Sequence, residues 1–464
     1  MKIDLPEGLY ELAHFFEKNG ARLYAVGGCV RNALLDLPYS DIDICSSILP
    51  DDVSVICAQN ELKSAVVNKK LGTIHIEIDG QEVEYTAFRR ESYPADGSHD
   101  PISVTLGVSM KEDALRRDFS VNALYHDLIS GEVIDPTGKG LSDIAARRLS
   151  TTTEDPSIIM KDDALRMLRL CRFSAQLGFT IDKRTAMYVR EHSGLLDSIA
   201  RERVFSELCQ ILLADTKYGI NIHPAAHVRG MLTLYSCGLF KRIFPEFERA
   251  DELGKSKYHA HNVLMHCIYT CGQMPPDLTL RFAGLLHDIG KASVYFENGN
   301  MYGHDEVGEK LAYDRLAALK APKKLAENVS YIVRDHMYDL TGAAKESTVR
   351  RHIVHIGEER FKWLITMRRA DVYGSGRIKP NEPVETADKF ERILINMHKQ
   401  NAPFTIKELA ISGSDILKAE ITEGRMVGLI LNKLLEMAAV RPKINTRDRL
   451  LKEAYSLSKT IIEK

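Results

Sequence analysis

The chain has 464 residues, 44% of them hydrophobic and 27% charged, with a formal net charge of −2. This length allows several domains, and the balance is that of an ordinary globular protein rather than of a fibrous or low-complexity one. Near-neutral charge excludes a bulk attraction for nucleic acid, so any such surface has to be a local patch.

In chain order, MKIDLPEGLYELAHFFEKNG reads as a capped amphipathic helix and lacks the apolar core of a signal peptide. No later run is long and apolar enough to span a bilayer, so a cytoplasmic protein without a membrane partner is expected. The eight cysteines show no zinc-ligand pairing, and all are expected to be buried free thiols. RLYAVG suits a buried strand, GCVRNALLD a helix, and SDIDICSS alternates again as a strand. TIHIEID and EVEYTAF, joined by Asp79-Gly80, read as a hairpin, and a second hairpin turns at Ser130-Gly131. This mixture marks the first third as a sheet domain with interspersed helices. After about residue 150 the spacing is helical and no strand is expected. GSGRIKPNEP at 374–383 reads as a linker, and a moderately basic helical tail carries Lys433, Arg441, Lys443, Arg447, Arg449 and Lys452.

Four constellations carry chemistry. Gly27-Gly28 stands between a strand and a helix whose first turn holds Arg31, an arrangement that brings backbone donors and a guanidinium to a phosphate. Asp41 and Asp43 follow; two apart on a strand, their carboxylates share a face, and a hard divalent cation is the natural reason to place two like charges there. Glu84 offers a third carboxylate against the ordinary reading of an outward-facing strand residue. In Arg116-Arg117-Asp118-Phe119 with Asn122-Ala123, one arginine is expected to reach a triphosphate and the other to pair with Asp118. Asp163, Arg166, Arg169 and Arg172, three apart, would form one helical stripe, otherwise a surface ion-pair ladder. A carboxylate that accepts from an amino group and a guanidinium that donates to a ring nitrogen suit C and A and mismatch U and G. Finally His266, His287-Asp288, His304, His336 and Asp371 are imidazole and carboxylate groups suited to divalent metals that promote phosphoester hydrolysis.

The ordered set Gly27-Gly28-Cys29-Val30-Arg31, Asp41-Ile42-Asp43 and Arg117-Asp118-Phe119-Ser120-Val121-Asn122-Ala123 resembles the class II tRNA nucleotidyltransferase and bacterial poly(A) polymerase family. One departure is Asn32, where the family usually has Asp; another is Asp162, where it usually has Glu. The resemblance implies an α+β chain: a polymerase β-like nucleotidyltransferase head over 1–150, a helical neck over 151–250, an HD-type body over 251–375 and a helical tail over 376–464. It implies Mg²⁺ on Asp41 and Asp43, a triphosphate on Gly28, Arg31 and Arg117, base reading by Asp163 and Arg166, and Arg169 and Arg172 near triphosphate or RNA. The expected reaction is addition of C, C and A to the 3′ end of tRNA from CTP and ATP. The segment 86–109, with Asp96-Gly97, resembles the family's flexible loop in full length and so speaks against an enzyme restricted to CC. LLHDIGK with its partners resembles an HD phosphohydrolase, implying metal ligands His266, His287, Asp288 and Asp371, a second set in His304 and His336, and Mn²⁺, Ni²⁺ or Mg²⁺ as the ion. Ile411-Ser412-Gly413-Ser414-Asp415-Ile416 and Glu423-Gly424-Arg425-Met426-Val427-Gly428 resemble the tail motif that contacts tRNA, although Gly424 equally suits a simple helix cap. The competing readings are a poly(A) polymerase or A-adding enzyme, an HD phosphohydrolase with a nucleotide-sensing head, and a non-catalytic RNA-binding protein.

Overall fold

The computed structural model describes residues 3–93, 101–254, 260–422 and 424–462. Asp96-Gly97 and Glu423 lie outside these. The chain divides into two compact units, residues 1–245 with 318–321, and 246–317 with 322–464.

The first unit opens with α1 (Glu7–Lys18), whose Leu9, Leu12, Ala13 and Phe16 at helical spacing are buried. The N-cap position is Pro6, with no side-chain cap; instead the Gly8 amide donates to Asp79 from a distant hairpin. There follow β1 (Tyr24–Val26), α2 (Gly28–Leu34), β2 (Asp43–Ser46), α3 (Pro50–Gln59), β3 (Ser64–Asn68), β4 (Thr73–Ile78) and β5 (Gln81–Ala87). The β4–β5 turn is the predicted Asp79-Gly80, both residues at positive φ, as a two-residue hairpin of right-handed strands requires. Next come β6 (Arg89–Ser92) and β7 (Ser103–Leu106), which pair with each other, then α4 (Met110–Arg116), β8 (Tyr125–Asp127) and β9 (Val133–Ile134). The last two form the second predicted hairpin.

Seven strands make one mixed sheet in the order β3-β4-β5-β2-β1-β8-β9. Within this sheet β2 and β5 pair in parallel and the other described pairs are antiparallel. The central strands carry Ala25, Val26, Ile44 and Tyr125, all fully buried, so β2 is clamped from both sides and its leading end is fixed in space.

The helical remainder of this unit comprises α5 (Gly140–Ala145), then, after β10 (Arg148–Leu149), α6 (Pro156–Asp162) and α7 (Leu165–Leu177). After β11 (Thr180–Ile181) come α8 (Lys183–Glu191), α9 (Arg201–Leu212), α10 (Ala214–Tyr218), α11 (Ala226–Ser236) and α12 (Phe240–Ile243). The two-residue β10–β11 pair corrects the expectation of no strand beyond residue 150; it is too short to leave a periodic signal.

The second unit is helical: α13 (Val263–Gly272), α14 (Leu278–Leu286), α15 (Gly290–Asn298), α16 (His304–Ala318), α17 (Lys323–Asp335), α18 (Glu346–Ile356), α19 (Glu358–Gly374), α20 (Glu385–Lys399), α21 (Gly413–Lys418), α22 (Arg425–Val440) and α23 (Arg447–Ile462). Gly424 does occupy the N-cap of α22. The 374–383 stretch expected as a linker joins α19 to α20, yet Phe361 and Leu364 of one and Phe390 and Leu394 of the other pack in the same core. All eight cysteines are free; Cys209 is half-buried and the other seven are buried. No helix of the described residues is long and apolar enough to cross a membrane.

Candidate functional site

A cavity of about 740 Å³ in the first unit is lined by Gly27, Gly28, Arg31, Asp41, Asp43, Arg117, Asp163, Arg166, Arg169 and Arg172 together with further polar residues. Every head residue expected to hold Mg²⁺ or the nucleotide therefore lines one space, whereas Phe119 and Ala123 of the second motif are buried away from it. Glu84 pairs in register with Asp43 on the neighbouring strand but is exposed and does not line the cavity.

The turn after β1 fixes one wall. Gly27 holds φ +82° and ψ −129°, a conformation that side chains with a Cβ avoid. A Cβ there would stand 3.6 Å from a carboxylate oxygen of Asp43 and 3.7 Å from Arg117 Nη1. Gly27→Ala is therefore expected to cost about 1–3 kcal/mol through backbone strain rather than overlap, measurable as a lowered urea midpoint.

Asp43 is the first residue of β2, whereas Asp41 precedes the strand, so the expected strand alternation does not apply to both. They meet nevertheless at the cavity. Burial above all, opposed by Arg117 and aided by Glu84 and Asp41, raises the Asp43 carboxyl to about 6. An all-oxygen donor set whose charges repel fits a hard divalent cation, which would relieve that repulsion.

The arginines are arranged differently from the sequence expectation. Arg116 and Arg117 both pair with buried Asp113, at 2.8 and 3.1 Å, as i,i+3 and i,i+4 partners from α4. Burial raises the Asp113 carboxyl, yet the two guanidinium groups outweigh it and hold it well below the usual range. Asp118 does not pair with either neighbour. It accepts from Arg169 at 2.6 Å, and from Asn122 at 3.0 Å. Asp163 is not on the helix of Arg166. It sits in the break between α6 and α7, where its carboxylate accepts the Leu165 amide at 3.0 Å. Arg166 begins its reach inside α7 and is pinned by the carbonyls of Ile159 and Arg116, at 3.0 and 2.9 Å. Arg172 lies 2.8 Å from Glu207. Phe173 underlies three cations, with the guanidinium carbons of Arg31, Arg169 and Arg172 at 5.0, 5.5 and 4.5 Å from its ring centroid. Sequence reading missed Asp113, Glu207, Tyr218 and the role of Phe173. Helical spacing back from the arginine pair could have found Asp113; Tyr218 reaches Arg31 across 187 positions and leaves no local signal.

The second unit holds a separate cluster. His266 on α13, His287-Asp288 just beyond α14, His304 at the start of α16, His336 just beyond α17 and Asp371 on α19 converge. His266 Nε2 lies 2.9 Å from Asp371 and 3.1 Å from His287 Nε2. Asp288 turns one oxygen toward His287 at 3.3 Å and the other toward His304 at 3.3 Å. The Nδ1 atoms of His287, His304 and His336 each meet the carbonyl three residues earlier, at 2.9, 2.8 and 2.5 Å. A carbonyl can only accept, so each Nδ1 carries the proton and each Nε2 is left as a ligand. Among the described residues three groups could hold a metal ion: His266 with His287 and Asp371, Asp288 with His304 and His336, and Cys267 with His287 and Asp288. The sequence reading had given Cys267 no such place.

Comparison with known proteins follows this division. Residues 23–150 match the poly A polymerase head domain, 178–251 the probable RNA- and SrmB-binding site of polymerase A, and 258–392 the HD domain. The A-adding tRNA nucleotidyltransferase of Deinococcus radiodurans is 31% identical over 356 residues, covering 73% of this chain and 77% of that protein. The chain belongs to the class II tRNA nucleotidyltransferase and poly(A) polymerase family. The CCA-adding enzyme of Lactiplantibacillus plantarum is 28% identical over 441 residues, covering 94% and 92%. That of Bacillus pumilus is 39% identical over 201 residues, and there the match spans 48% of the relative, about half its length. Among solved structures, the Bacillus stearothermophilus CCA-adding enzyme in complex with CTP aligns over 98% of both chains with a TM-score of 0.70 at 24% identity. The Thermotoga maritima CCA-adding enzyme complexed with tRNA_CCA gives 0.61 at 17%. At these identities the likeness establishes the α+β fold with its sheet-bearing head and helical body.

Proposed function

We propose that this family member adds C, C and A to the 3′ end of tRNA, using CTP and ATP and releasing pyrophosphate. The observation that carries the reading is the convergence of Asp41, Asp43 and the arginines 31, 117, 166, 169 and 172 on one cavity. In this reading Gly28, Arg31 and Arg117 hold the triphosphate, and Asp163 and Arg166 read the base edge. Arg169 and Arg172, fixed by Asp118 and Glu207, bind further phosphate or RNA. Asp41 and Asp43 would hold Mg²⁺, which when bound polarises the RNA 3′-hydroxyl and the α-phosphate and neutralises the leaving pyrophosphate. The protein's own share is to align hydroxyl, α-phosphorus and leaving oxygen and to balance their charge, with no covalent intermediate. The domain limits proposed from sequence serve this division: head 1–150, neck 151–250, HD body 251–375 and tail 376–464, with the neck, the tail and its basic residues as tRNA-binding surface.

The test is extension of tRNA ending at the discriminator base, at CC or at CCA, with CTP and ATP supplied separately and together. CTP-dependent addition followed by a single A supports the reading. Incorporation of ATP alone onto any RNA would defeat it in favour of A-adding or poly(A) synthesis; the A-adding alternative has a specific basis in the D. radiodurans relative. The family setting and a tRNA substrate make the cytoplasm the proposed location.

For the second unit we propose a divalent-metal phosphohydrolase centre on His266, His287, Asp288 and Asp371, with His304 and His336 completing a second position and Mn²⁺, Ni²⁺ or Mg²⁺ as the ion. His287→Ala removes a ligand from between Asp288 and Asp371. It is expected to weaken metal binding by at least about tenfold, read by calorimetric titration with Mn²⁺, while leaving nucleotide addition intact. Unchanged Mn²⁺ affinity would count against this centre.

A further inference from the structure

We infer that Tyr39 is the positioning residue for Asp41: bound to the main chain of residues 3–6, it fixes the loop that presents this carboxylate to the catalytic ion. The inference rests on the reading above and extends it to a part of the head outside the metal pair and the nucleotide set.

The two carboxylates are held in different ways. Asp43 belongs to β2 and is fixed on both sides, opposite Val26 and Glu84. Asp41 precedes the strand and is exposed, so the ladder does not set its position. Packing holds its loop only in part. The Tyr39 ring lies against the head core, yet Tyr39 and Ser40 line both the site cavity and a second cavity of about 690 Å³. A loop with space on two faces depends on hydrogen bonds for its order. Three side chains supply them. Asn32 Nδ2 donates to the Pro38 carbonyl at 2.9 Å, the Tyr39 hydroxyl donates to the Asp4 carbonyl at 2.8 Å, and Ser40 Oγ donates to Asp41 Oδ1 at 3.1 Å.

The Tyr39 bond has a well-anchored acceptor. Ile3 and Leu5 are buried in the head core, 1% and 7% exposed, while the Asp4 carbonyl between them faces Tyr39. The carbonyl before it, that of Ile3, accepts the Tyr10 hydroxyl of α1 at 2.9 Å. Successive carbonyls thus tie one segment to α1 and to the Asp41 loop. Residues 3–6 form a fixed rail, and Tyr39 locks the backbone to it two positions before Asp41. A carboxylate already in place need not be ordered when the ion arrives, so the entropy cost of binding falls.

Tyr39→Phe in the full chain tests this, since it removes the hydroxyl and keeps the ring. The free Mg²⁺ needed for half-maximal nucleotide addition is expected to rise about three- to tenfold, the usual worth of one such hydrogen bond. The kcat at saturating Mg²⁺ and the KM for tRNA should change less, and the melting temperature should stay near that of wild type. Isothermal titration of CTP with and without Mg²⁺ gives a second readout. The gain in CTP affinity due to Mg²⁺ should shrink by the same factor, with the metal-free affinity unaltered. Asp4→Ala keeps the acceptor, a main-chain oxygen, and should match wild type in both readouts. Either readout within about twofold of wild type in folded Tyr39→Phe, or an equal shift in Asp4→Ala, overturns the proposal. Because the titration needs no RNA, a wild-type chain that binds CTP with Mg²⁺ yet transfers no nucleotide defeats the functional reading and leaves this inference standing. A wild type whose CTP affinity ignores Mg²⁺ defeats both.

Discussion

Asp43→Ala lowers nucleotide addition by at least about a thousandfold, equivalent to about 4 kcal/mol of transition-state stabilisation, without unfolding the head. Asp43 is fixed at the start of β2 between two hydrogen-bonded neighbours. Its carboxylate is destabilised by burial and by Glu84 and Asp41, with Arg117 as the opposing influence. Removing it relieves repulsion, so thermal stability should hold or rise while activity falls. That divergence is the signature of a residue kept for chemistry rather than folding. A variant with activity within tenfold of wild type would sink the metal-pair assignment. Asp41→Ala is expected to act in the same direction, since its carboxylate faces the same cavity.

Asp113→Ala behaves oppositely: it destabilises the head by about 3–5 kcal/mol, the usual consequence of leaving a buried charge unpaired. Two guanidinium groups depend on this carboxylate, and the Tyr125 hydroxyl donates to it at 2.7 Å. Arg117 would lose the anchor that aims it past Gly27, so addition should fall together with stability. Denaturant unfolding of the full chain would show the loss in the transition that includes the head. The pH dependence has a definite sign. The folded-state pKa of Asp113 is depressed, so its contribution is complete above the ordinary aspartate value near 4 and is lost as pH falls below it. Wild type should therefore shed head stability on acidification more steeply than Asp113→Asn, which has no proton to gain.

Much of this was legible in the chain itself. The Asp79-Gly80 hairpin follows from turn chemistry alone, and α1 and α9 follow from apolar spacing. The residues that line the cavity were legible as candidates because their motifs are short and local. What sequence could not supply was who pairs with whom. Asp118 adjoins Arg117 in the chain yet binds Arg169, 51 positions away, because the backbone turns out of α4 at Arg117. Asp163 reads as one more residue of a helical stripe, but α6 ends before it and its side chain serves the next helix instead. Tyr218 at the end of α10 meets Arg31 of α2 across 187 positions, a contact that no window along the chain contains.

Phe173 carries a last consequence. Its ring gathers three cationic side chains that repel one another, and the aromatic face offsets only part of that crowding. With Asp118 on Arg169 and Glu207 on Arg172, the cluster keeps a net positive charge, which a bound nucleoside triphosphate would neutralise and so hold together. Saturating triphosphate should raise the melting temperature of the head, and added salt, which screens the same repulsion, should shrink that gain.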